Sequence, residues 1–223
     1  MRTSFGIALL VALFVVTSGA WAGTVPITVP NYSFEIGPGG LACPTPGSSC
    51  NPASWTQTGS AAEWQPTAGR FSSIPDGVQV GWVNANGDLS QVLTNTIAAN
   101  TVYTLTVDVS FQNFSGVTFG PIVDLEAFSA VAGSTVLASA TAASPGAGNT
   151  TPTAGNWSLW TLTFNSASDP AVVGEQLEIA LGSTTNQTSY DDVGLNQTVP
   201  EPAMFALVGA GLLGLVTRRR FAK

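Results

Sequence analysis

The sequence predicts an all-β fold, an antiparallel sandwich or barrel of about eight to ten strands between residues 23 and 198. Apolar and polar residues alternate in several short stretches of this part of the chain, as they do in half-buried strands. Clusters of Gly, Pro, Asn and Ser separate the stretches, and none of the stretches shows the period of an amphipathic helix. No internal repeat is visible, so we expect one domain.

The predicted strands follow one another at short intervals. They are 31–35, 78–83, 88–93, 101–111, 122–130, 135–141, 157–164, 176–182 and 189–195. The clearest is 101–111, where Tyr103 and the apolar residues at every second position share one face. The segment Asn84-Ala85-Asn86-Gly87 predicts a hairpin-like turn in which Gly87 takes a positive φ. Residues 142–155 are too polar and too rich in Gly and Pro to pack, and predict a loop.

The N-terminus has the pattern of a secretory signal peptide. Arg2 precedes an apolar stretch, 5–16, and Ala20-Trp21-Ala22 places small residues at the two positions that a signal peptidase reads. A retained membrane helix is the alternative, but the apolar stretch is too short for one. We therefore expect residues 1–22 to be removed during export, with the cut after Ala22.

The C-terminus combines three features. Val199-Pro200-Glu201-Pro202 is followed by an apolar run, 203–216, and then by Arg218, Arg219 and Arg220. Together these residues resemble the PEP-CTERM sorting signal of Gram-negative bacteria, which an exosortase reads and cuts. An ordinary membrane anchor is the alternative, since arginines favour the cytoplasmic side of a membrane. The resemblance implies that 199–223 is a sorting segment. It also implies export across the inner membrane, transient anchoring through the apolar run, and delivery to the cell surface or extracellular space.

The charge of the part between these two segments is strongly negative. Arg70 is its only Lys or Arg, and the acidic residues are Glu35, Glu63, Asp76, Asp88, Asp108, Asp124, Glu126, Asp169, Glu175, Glu178, Asp191 and Asp192. Such a surface repels phosphate backbones, which excludes nucleic acid as a partner. The chain contains no histidine, which excludes Ser-His-Asp and Cys-His nucleophiles and His-ligated metals.

Cys43 and Cys50 are the only cysteines, and a loop rich in Pro, Gly and Ser lies between them. In an oxidising compartment we expect them to form a disulfide. Metal or redox chemistry is the alternative, but two thiols without a histidine make a poor metal site.

Several motifs resemble those of galactose-binding-like jelly rolls, among them the carbohydrate-binding modules of xylanases. Asn31-Tyr32-Ser33-Phe34-Glu35 is similar to their opening, 87–93 and 99–105 to their middle, and Tyr190-Asp191-Asp192-Val193-Gly194-Leu195 to their closing strand. The resemblance implies an antiparallel jelly-roll β-sandwich. It also implies a structural calcium ion, with Glu35 and Asp191 matching the acidic ligands of the family.

The residues themselves give a reason to expect a cation at Asp191. If Val193 and Leu195 point into the core, alternation places Asp191 on the same face, and a buried carboxylate needs a cation or hydrogen-bond donors. Calcium suits oxygen ligands. The alternative is that Asp191 only accepts backbone N–H bonds.

The tryptophans favour a binding function over a catalytic one. Sugar rings stack on exposed tryptophan faces, and Trp55 and Trp64 lie near predicted loops, so we expect them to form a ligand surface. Trp160, Tyr103 and Tyr190 are expected in the core, with Trp157 turned the other way. The alternative is that most of the tryptophans pack in the core.

Carboxylates are the remaining candidates for catalysis. Asp124 and Glu126 share one face of a predicted strand, and Asp108 is expected on the polar face of a nearby one. Paired acids carry out glycoside hydrolysis, and the same broad fold includes cyclases of indole alkaloid biosynthesis that use aspartate as an acid. The alternative is a solvated acidic face.

The main functional prediction is a non-catalytic exported protein that binds or associates with exopolysaccharide. One alternative is an enzyme on the same fold that uses paired carboxylates, either a glycoside hydrolase or an aspartate-acid cyclase. Another is a structural surface protein without a defined ligand.

Overall fold

The structure is a computed structural model that describes residues 23–199. Twelve strands in this range form two antiparallel sheets packed face to face, which confirms the predicted all-β jelly-roll-like sandwich. The strands are β1 Gly23–Ile27, β2 Ser49–Cys50, β3 Thr56–Thr58, β4 Ala61–Trp64, β5 Val80–Val83, β6 Asp88–Thr96, β7 Val102–Phe111, β8 Pro121–Ser129, β9 Gly133–Thr141, β10 Ser158–Asn165, β11 Gln176–Ser183 and β12 Thr188–Val199. Short 3₁₀ turns cover Pro38–Gly40 and Pro170–Val172.

The first sheet has seven strands in the order β10-β7-β12-β5-β4-β2, and β1 also pairs with β12. One edge of β12 runs along β7. Its other edge is shared by β5, which pairs with residues 188–190, and by β1, which pairs with residues 195–199. The longest strand of the described chain therefore lies at the centre of this sheet, with the chain's first strand beside its end.

The second sheet has five strands in the order β3-β6-β11-β8-β9. Strands β8 and β9 form a hairpin that turns at Ala132-Gly133, and Gly133 takes the positive φ (81°) that this turn requires. Strand β11 comes late in the chain but lies between β6 and β8. Side chains from three distant parts of the sequence therefore meet on this sheet.

The core lies between the two sheets and is built by alternation. In β7, Tyr103, Leu105, Val107 and Val109 are fully buried, whereas the residues between them are partly exposed. The aromatic side chains of Trp160 and Tyr190 are also fully buried, as the sequence predicts. Burying apolar side chains from both inner faces is the main stabilising contribution of such a fold.

Tyr190 connects the two sheets. It belongs to β12, and its hydroxyl donates to the backbone carbonyl of Gly182 in the second sheet. The backbone N–H of Ile122 donates to the same hydroxyl at 3.2 Å. The polar end of the ring is thus satisfied inside the core.

The segment between β5 and β6 differs from the prediction. Because β5 lies in the first sheet and β6 in the second, Asn84–Gly87 is a crossing between sheets rather than a hairpin turn. The positive φ belongs to Asn86 (64°) and not to Gly87. Gly87 is required for a different reason, since a Cβ at this position would lie 2.5 Å from the carbonyl oxygen of Ser60.

The opening of the chain also differs. Residues 31–35, predicted as a strand, form a turn in which Phe34 N–H donates to Asn31 O at 3.2 Å. Asn31 and Phe34 both have positive φ, at 51° and 58°. The short strands β1 to β4 were not predicted, because strands of two to five residues are too short to show alternation.

The predicted disulfide is confirmed: Cys43 and Cys50 are bonded, with their Cα atoms 5.9 Å apart. The predicted signal peptide, 1–22, lies outside the described residues. So do Pro200, Glu201, Pro202, the apolar run 203–216, and Arg218, Arg219 and Arg220. Within residues 23–199, no helix has the length and apolar character needed to cross a bilayer.

Candidate active site

Two aspartates share the outer face of the first sheet. Asp191 of β12 lies directly opposite Asp108 of β7 in the ladder. Asp108 alternates with the buried Val107 and Val109, so its side chain and that of Asp191 lie on the face turned away from the second sheet.

The placement of Asp191 corrects the sequence analysis, which put it on the core face with Val193 and Leu195. A β-bulge interrupts the β12–β7 ladder between Asp191 and Gly194. The extra residue is Asp192, which has a positive φ of 45°. A bulge shifts the alternation by one position, so Asp191 and Leu195 fall on opposite faces of the sheet.

Asp191 is nevertheless completely buried. Its Oδ2 accepts the backbone N–H of Asp76 at 3.0 Å, and its Oδ1 accepts the N–H of Asp192 at 2.8 Å. Burial raises the pKa of Asp191 to about 8; the two hydrogen bonds oppose the rise, and the charges of Asp76 and Asp192 add to it. At neutral pH this carboxyl is therefore a protonated acid held in a fixed position.

Asp108 is partly exposed, and burial is the main cause that raises its pKa, followed by the charge of Asp192. Arg70 is the only Lys or Arg between residues 23 and 199. It is therefore the only basic side chain of that range with which these acids could pair. The outer face of the first sheet thus holds two carboxyl groups whose pKa is raised.

A segment that we call the strap, residues 65–79, covers this face. Trp157 Nε1 donates to the carbonyl of Ser73 at 2.8 Å, and Ser72 Oγ donates to Asn156 Oδ1 at 3.0 Å. With the bond from Asp76 to Asp191, these contacts hold the strap over the acid. The strap has no regular secondary structure and few sequence signals of its own.

Aromatic rings line the space beneath and beside the strap. The ring of Phe71 lies 5.0 Å from that of Trp157 and 6.4 Å from that of Trp64, centroid to centroid. Trp82 of β5 lies on the same face, opposite Ser189 of β12. Such a surface is suited to flat apolar molecules and to positive charge on them.

Besides Nε1 of Trp64, two buried polar atoms on this face have no hydrogen-bond partner among the described residues. They are the hydroxyl of Ser189, a fully buried residue, and Nε1 of Trp82. Both belong to the facing pair of β12 and β5. Buried polar groups are normally bonded, so this pair offers a hydrogen bond to a ligand.

A groove of about 410 Å³ lies next to the acid. Tyr32 and Asp192 line it, together with residues 26–29 and 193–196. A hydrogen bond to Asp76 is the main cause that raises the pKa of the Tyr32 hydroxyl. The groove therefore ends at the residues that surround Asp191.

The predicted carboxylate cluster is split by the fold. Asp124 and Glu126 lie on the outer face of the second sheet, whereas Asp108 lies on the first. Glu178 of β11 faces Glu126, and Asp88 of β6 lies close enough to raise its pKa. Burial is the leading cause that raises the pKa of Glu126 to about 7 and that of Asp88 to about 6.

Phe128 is the aromatic residue of β8 that shares the outer face with Asp124 and Glu126. Ser134 donates to Glu178, and Oδ1 of Asp124 is buried without a partner. Asp88 and Glu178 escaped the sequence analysis, because only the order β6-β11-β8 brings them beside Asp124. We regard the Asp191 face as the candidate active site.

The two tryptophans expected to form a ligand surface are both buried, each with an exposed fraction of 7%. Trp55 packs against Phe34, with ring centroids 5.1 Å apart, and donates from Nε1 to Asn31 O at 3.1 Å. Neither ring offers an exposed face for stacking, which corrects that prediction. Trp64 does border the aromatic group under the strap.

The two predicted calcium ligands both accept backbone hydrogen bonds from the strap. Glu35 Oε1 accepts the N–H groups of Val78 and Gln79 at 2.7 and 2.6 Å. Asp191 accepts that of Asp76, as described above. Both carboxylates therefore have backbone donors, which is the arrangement given as the alternative to a cation. The calcium site stays a prediction.

Trp82 and Asp76 were missed by the sequence analysis. Trp82 has a signal, because it alternates with the buried Val83 and so falls on the outer face. Asp76 has none, since a residue in an irregular segment cannot be assigned to a face.

Comparison with known proteins identifies the family. Residues 25–196 match the model of the HpiC1 cyclase family. The chain belongs to the HpiC1-like cyclases. Residues 198–220 match the PEP-CTERM protein-sorting motif. The motif implies that this chain is exported and sorted at the membrane of a Gram-negative bacterium, with an exosortase as processing partner.

Solved structures of similar fold include two from Fischerella. A cyclase from Fischerella sp. TAU has a TM-score of 0.63 and 20% sequence identity, and the match covers 81% of this chain and 100% of that one. The Stig cyclase Fisc from the same organism, in complex with (3Z)-3-(1-methyl-2-pyrrolidinylidene)-3H-indole, has a TM-score of 0.63 and 21% identity over 80% of this chain and 100% of its own. At such identities the likeness is one of fold.

A more distant neighbour is the xylan-binding domain CBM22-1 of Paenibacillus barcinonensis Xyn10C, with a TM-score of 0.46 and 15% identity over 75% of this chain and 92% of that one. No curated protein sequence matches the chain significantly.

The family overturns the main functional prediction. We expected a non-catalytic protein that associates with exopolysaccharide, and this is wrong, because the HpiC1-like family is one of cyclases, which are enzymes. The prediction relied on the broad similarity to carbohydrate-binding modules, and a shared fold does not imply a shared function. The alternative of an aspartate-acid cyclase agrees with the family.

Proposed function

We propose that this protein is an exported cyclase in which Asp191 is the catalytic acid. The observation that carries the proposal is a fully buried carboxyl with a pKa of about 8, on the sheet face that also holds Trp82, in a chain of the HpiC1-like family. An acid catalyst must hold its proton at the working pH, and burial provides that condition here.

The reaction that fits is a redox-neutral isomerisation. Asp191 donates its proton to a basic atom or a double bond of the substrate, and the resulting cation closes a ring by forming a carbon–carbon bond. The proton lost from the ring then returns to a carboxylate of the site. Asp108 is the candidate for this return, since it faces Asp191 across the ladder and is partly exposed.

The aromatic side chains would stabilise the cation. The faces of Trp157 and Phe71 carry negative charge density, and both rings are partly buried, with Trp157 bonded to the strap that covers the acid. The unpartnered Ser189 hydroxyl and Trp82 Nε1 would orient a polar group of the substrate. No redox cofactor is needed for such a step.

Access requires a change in the strap. Asp191 is fully buried, and the strap closes over it through the Asp76 and Ser73 contacts. Displacement of the strap would open the acid toward the groove lined by Tyr32 and Asp192. Closing again would exclude water from the cation.

The substrate class that we propose is an indole-type aromatic compound. The Fisc structure contains a pyrrolidinylidene indole, a flat molecule with nitrogen atoms that accept protons. A flat ring suits the tryptophan-lined face of this chain, and the surrounding acids favour a cationic substrate.

The test uses that indole as a probe. Tryptophan fluorescence of the purified protein should change saturably on titration with (3Z)-3-(1-methyl-2-pyrrolidinylidene)-3H-indole, and Trp82→Ala should weaken the binding. Asp191→Asn should retain binding but lose turnover of any cyclisable analogue, whereas Asp169→Asn, which keeps its capping bond to Ala171, should behave as the unmodified protein. Absence of binding at millimolar probe would reject the indole class. Turnover that survives Asp191→Asn would reject the acid.

We also propose the individual cleavage and anchoring steps of sorting. A signal peptidase would cut after Ala22, the apolar run 203–216 would hold the chain in the membrane, and exosortase cleavage near 200–202 would pass it to the cell surface or medium. Mass spectrometry of the protein from cells with and without the exosortase gives both ends of the mature chain. A C-terminus unchanged by loss of the exosortase would reject this route.

A further inference from the structure

We propose that the Cys43–Cys50 disulfide is a reactive bond rather than only a structural one. A dithiol reductant would open it by attack on Cys50, and Glu63 would supply the proton for the departing sulfur of Cys43. The inference does not depend on the cyclase function, although Trp82 of the proposed substrate face also lines the groove that reaches Cys50.

The two sulfurs have different surroundings. Cys43 is buried, with an exposed fraction of 3%, whereas Cys50 is only half-buried. A groove of about 330 Å³ reaches Cys50, and Asn51, Gln57 and Trp82 are among the residues that line it. An attacking thiolate can therefore reach Cys50 and not Cys43, and the direction of the exchange is fixed by access.

Glu63 lies behind the bond. One of its oxygens and the two sulfurs lie within 4.8 Å of one another, and Cys43 Sγ is 3.7 Å from Glu63 Oε1. Glu63 is completely buried, and its Oε2 has no partner in the described part of the chain. A buried carboxyl with one oxygen left without a donor is costly unless it carries a proton.

The surroundings keep Glu63 neutral. Burial raises the pKa of Glu63 to about 7, the Asn31 side chain opposes the rise, and the charge of Glu35 adds to it. The other groups around it are uncharged: Gln79 accepts the N–H of Cys43 at 2.8 Å, and Gly37 approaches so closely that a Cβ there would lie 2.5 Å from Glu63 Oε1. No basic side chain lies against it among residues 23–199.

The exchange balances as follows. The thiolate of the dithiol forms a bond to Cys50 Sγ, the Cys43–Cys50 bond breaks, and Cys43 leaves with the electron pair and takes the proton of Glu63. The second thiol of the reductant then attacks the mixed disulfide, which releases Cys50 as a thiolate and the reductant as its own disulfide. Two electrons pass from the dithiol to the protein, and Glu63 regains its proton from solvent.

The experiment follows reduction of the native protein by dithiothreitol at pH 6, 7 and 8, with free thiols trapped by alkylation and counted by mass. Glu63→Gln keeps the shape but removes the transferable proton. We expect reduction of this variant to be about tenfold slower than that of the unmodified protein at pH 6. The two rates should converge above pH 8, where Glu63 loses its proton.

Two single variants give an independent readout. The free thiol of Cys50 in Cys43→Ser should be alkylated rapidly under native conditions, and that of Cys43 in Cys50→Ser slowly. Unfolding curves of all variants establish that each is folded. Equal reduction rates with and without Glu63 at pH 6 would overturn the proposal. So would a bond that is reduced only in denaturant, or a Cys43 thiol that reacts as fast as Cys50.

Discussion

The carboxyl of Asp191 and the backbone N–H of Asp76 are joined by a hydrogen bond of 3.0 Å, although 115 positions separate the two residues in the chain. The bond connects the central strand β12 to the strap. It also opposes the rise in the pKa of Asp191, while the charge of Asp76 adds to that rise. Displacing the strap would therefore change both the exposure and the proton affinity of the acid.

Replacement of Asp191 should depend strongly on the new side chain. Asp191→Ala leaves the N–H groups of Asp76 and Asp192 without acceptors and should lower the free energy of unfolding by about 1–3 kcal/mol. Asp191→Asn resembles the protonated acid and should lower it by less than about 1 kcal/mol at pH 6. Urea unfolding curves measure both. Equal losses for the two variants would show that the hydrogen bonds do not hold the strap.

Stability should increase as the pH falls from 8 to 5. Burial raises the pKa of Asp191 to about 8, those of Glu63 and Glu126 to about 7, and that of Asp88 to about 6. The folded protein therefore binds protons more tightly than the unfolded chain does. This advantage is complete below about pH 4 and is lost as the pH rises through 6 to 8.

Melting temperatures across this range test that dependence. We expect the value at pH 5 to exceed that at pH 8 by several degrees, and the difference to shrink in Glu126→Gln. A melting temperature that falls steadily from pH 8 to pH 5 would contradict the buried acids as its cause.

The bulge at Asp192 sets the direction of Asp191, and its backbone conformation can be tested separately. Asp192 has a φ of 45°, which Gly and Asn adopt readily and β-branched residues do not. Asp192→Asn and Asp192→Gly should leave stability within about 0.5 kcal/mol, whereas Asp192→Val should cost about 1–2 kcal/mol. If Val is tolerated as well as Asn, the bulge is not held in this conformation in solution.

Removal of the disulfide should cost about 2–2.5 kcal/mol in the chain-entropy model, because the closed loop is short. The double variant Cys43→Ser/Cys50→Ser measures this in denaturant unfolding. A decrease in the free energy of unfolding far above that figure would mean that the loop 43–50 also keeps Glu63 buried, because opening the loop would expose this acid.

Chelation distinguishes the two roles considered for Asp191. A calcium ion at Glu35 and Asp191 would keep Asp191 ionised, whereas the backbone hydrogen bonds leave it free to be protonated. If the hydrogen bonds alone hold Asp191, EDTA should leave the melting temperature unchanged. A decrease of several degrees that calcium restores, and that disappears in Asp191→Ala, would support the calcium site and remove Asp191 as the acid.

The sandwich could be predicted because its long strands alternate cleanly. Strand β7 shows this best, since its apolar residues are buried and the residues between them are not. The crossing at Asn84–Gly87 could not be predicted, because a local turn signal does not specify which sheet the next strand joins. Asp88 and Glu178 were not assigned to the acidic cluster for the same reason, since the sequence does not show that their strands lie beside that of Asp124.

The candidate site was harder to predict than the fold. One inserted residue, Asp192, reverses the face on which Asp191 lies, and no local pattern indicates such a bulge. The burial of Trp64 depends on the strap, whose Phe71 packs on it without any periodic signal. Acid chemistry was among the alternatives, but the particular aspartate depended on contacts between distant parts of the chain.

The pairing of Gly23 with Val199 has a consequence for processing. The residue that follows the predicted signal-peptidase cut lies across one ladder step from the residue that precedes the sorting prolines. Both proposed cleavages would thus fall beside one pair of facing residues, at a single corner of the sandwich.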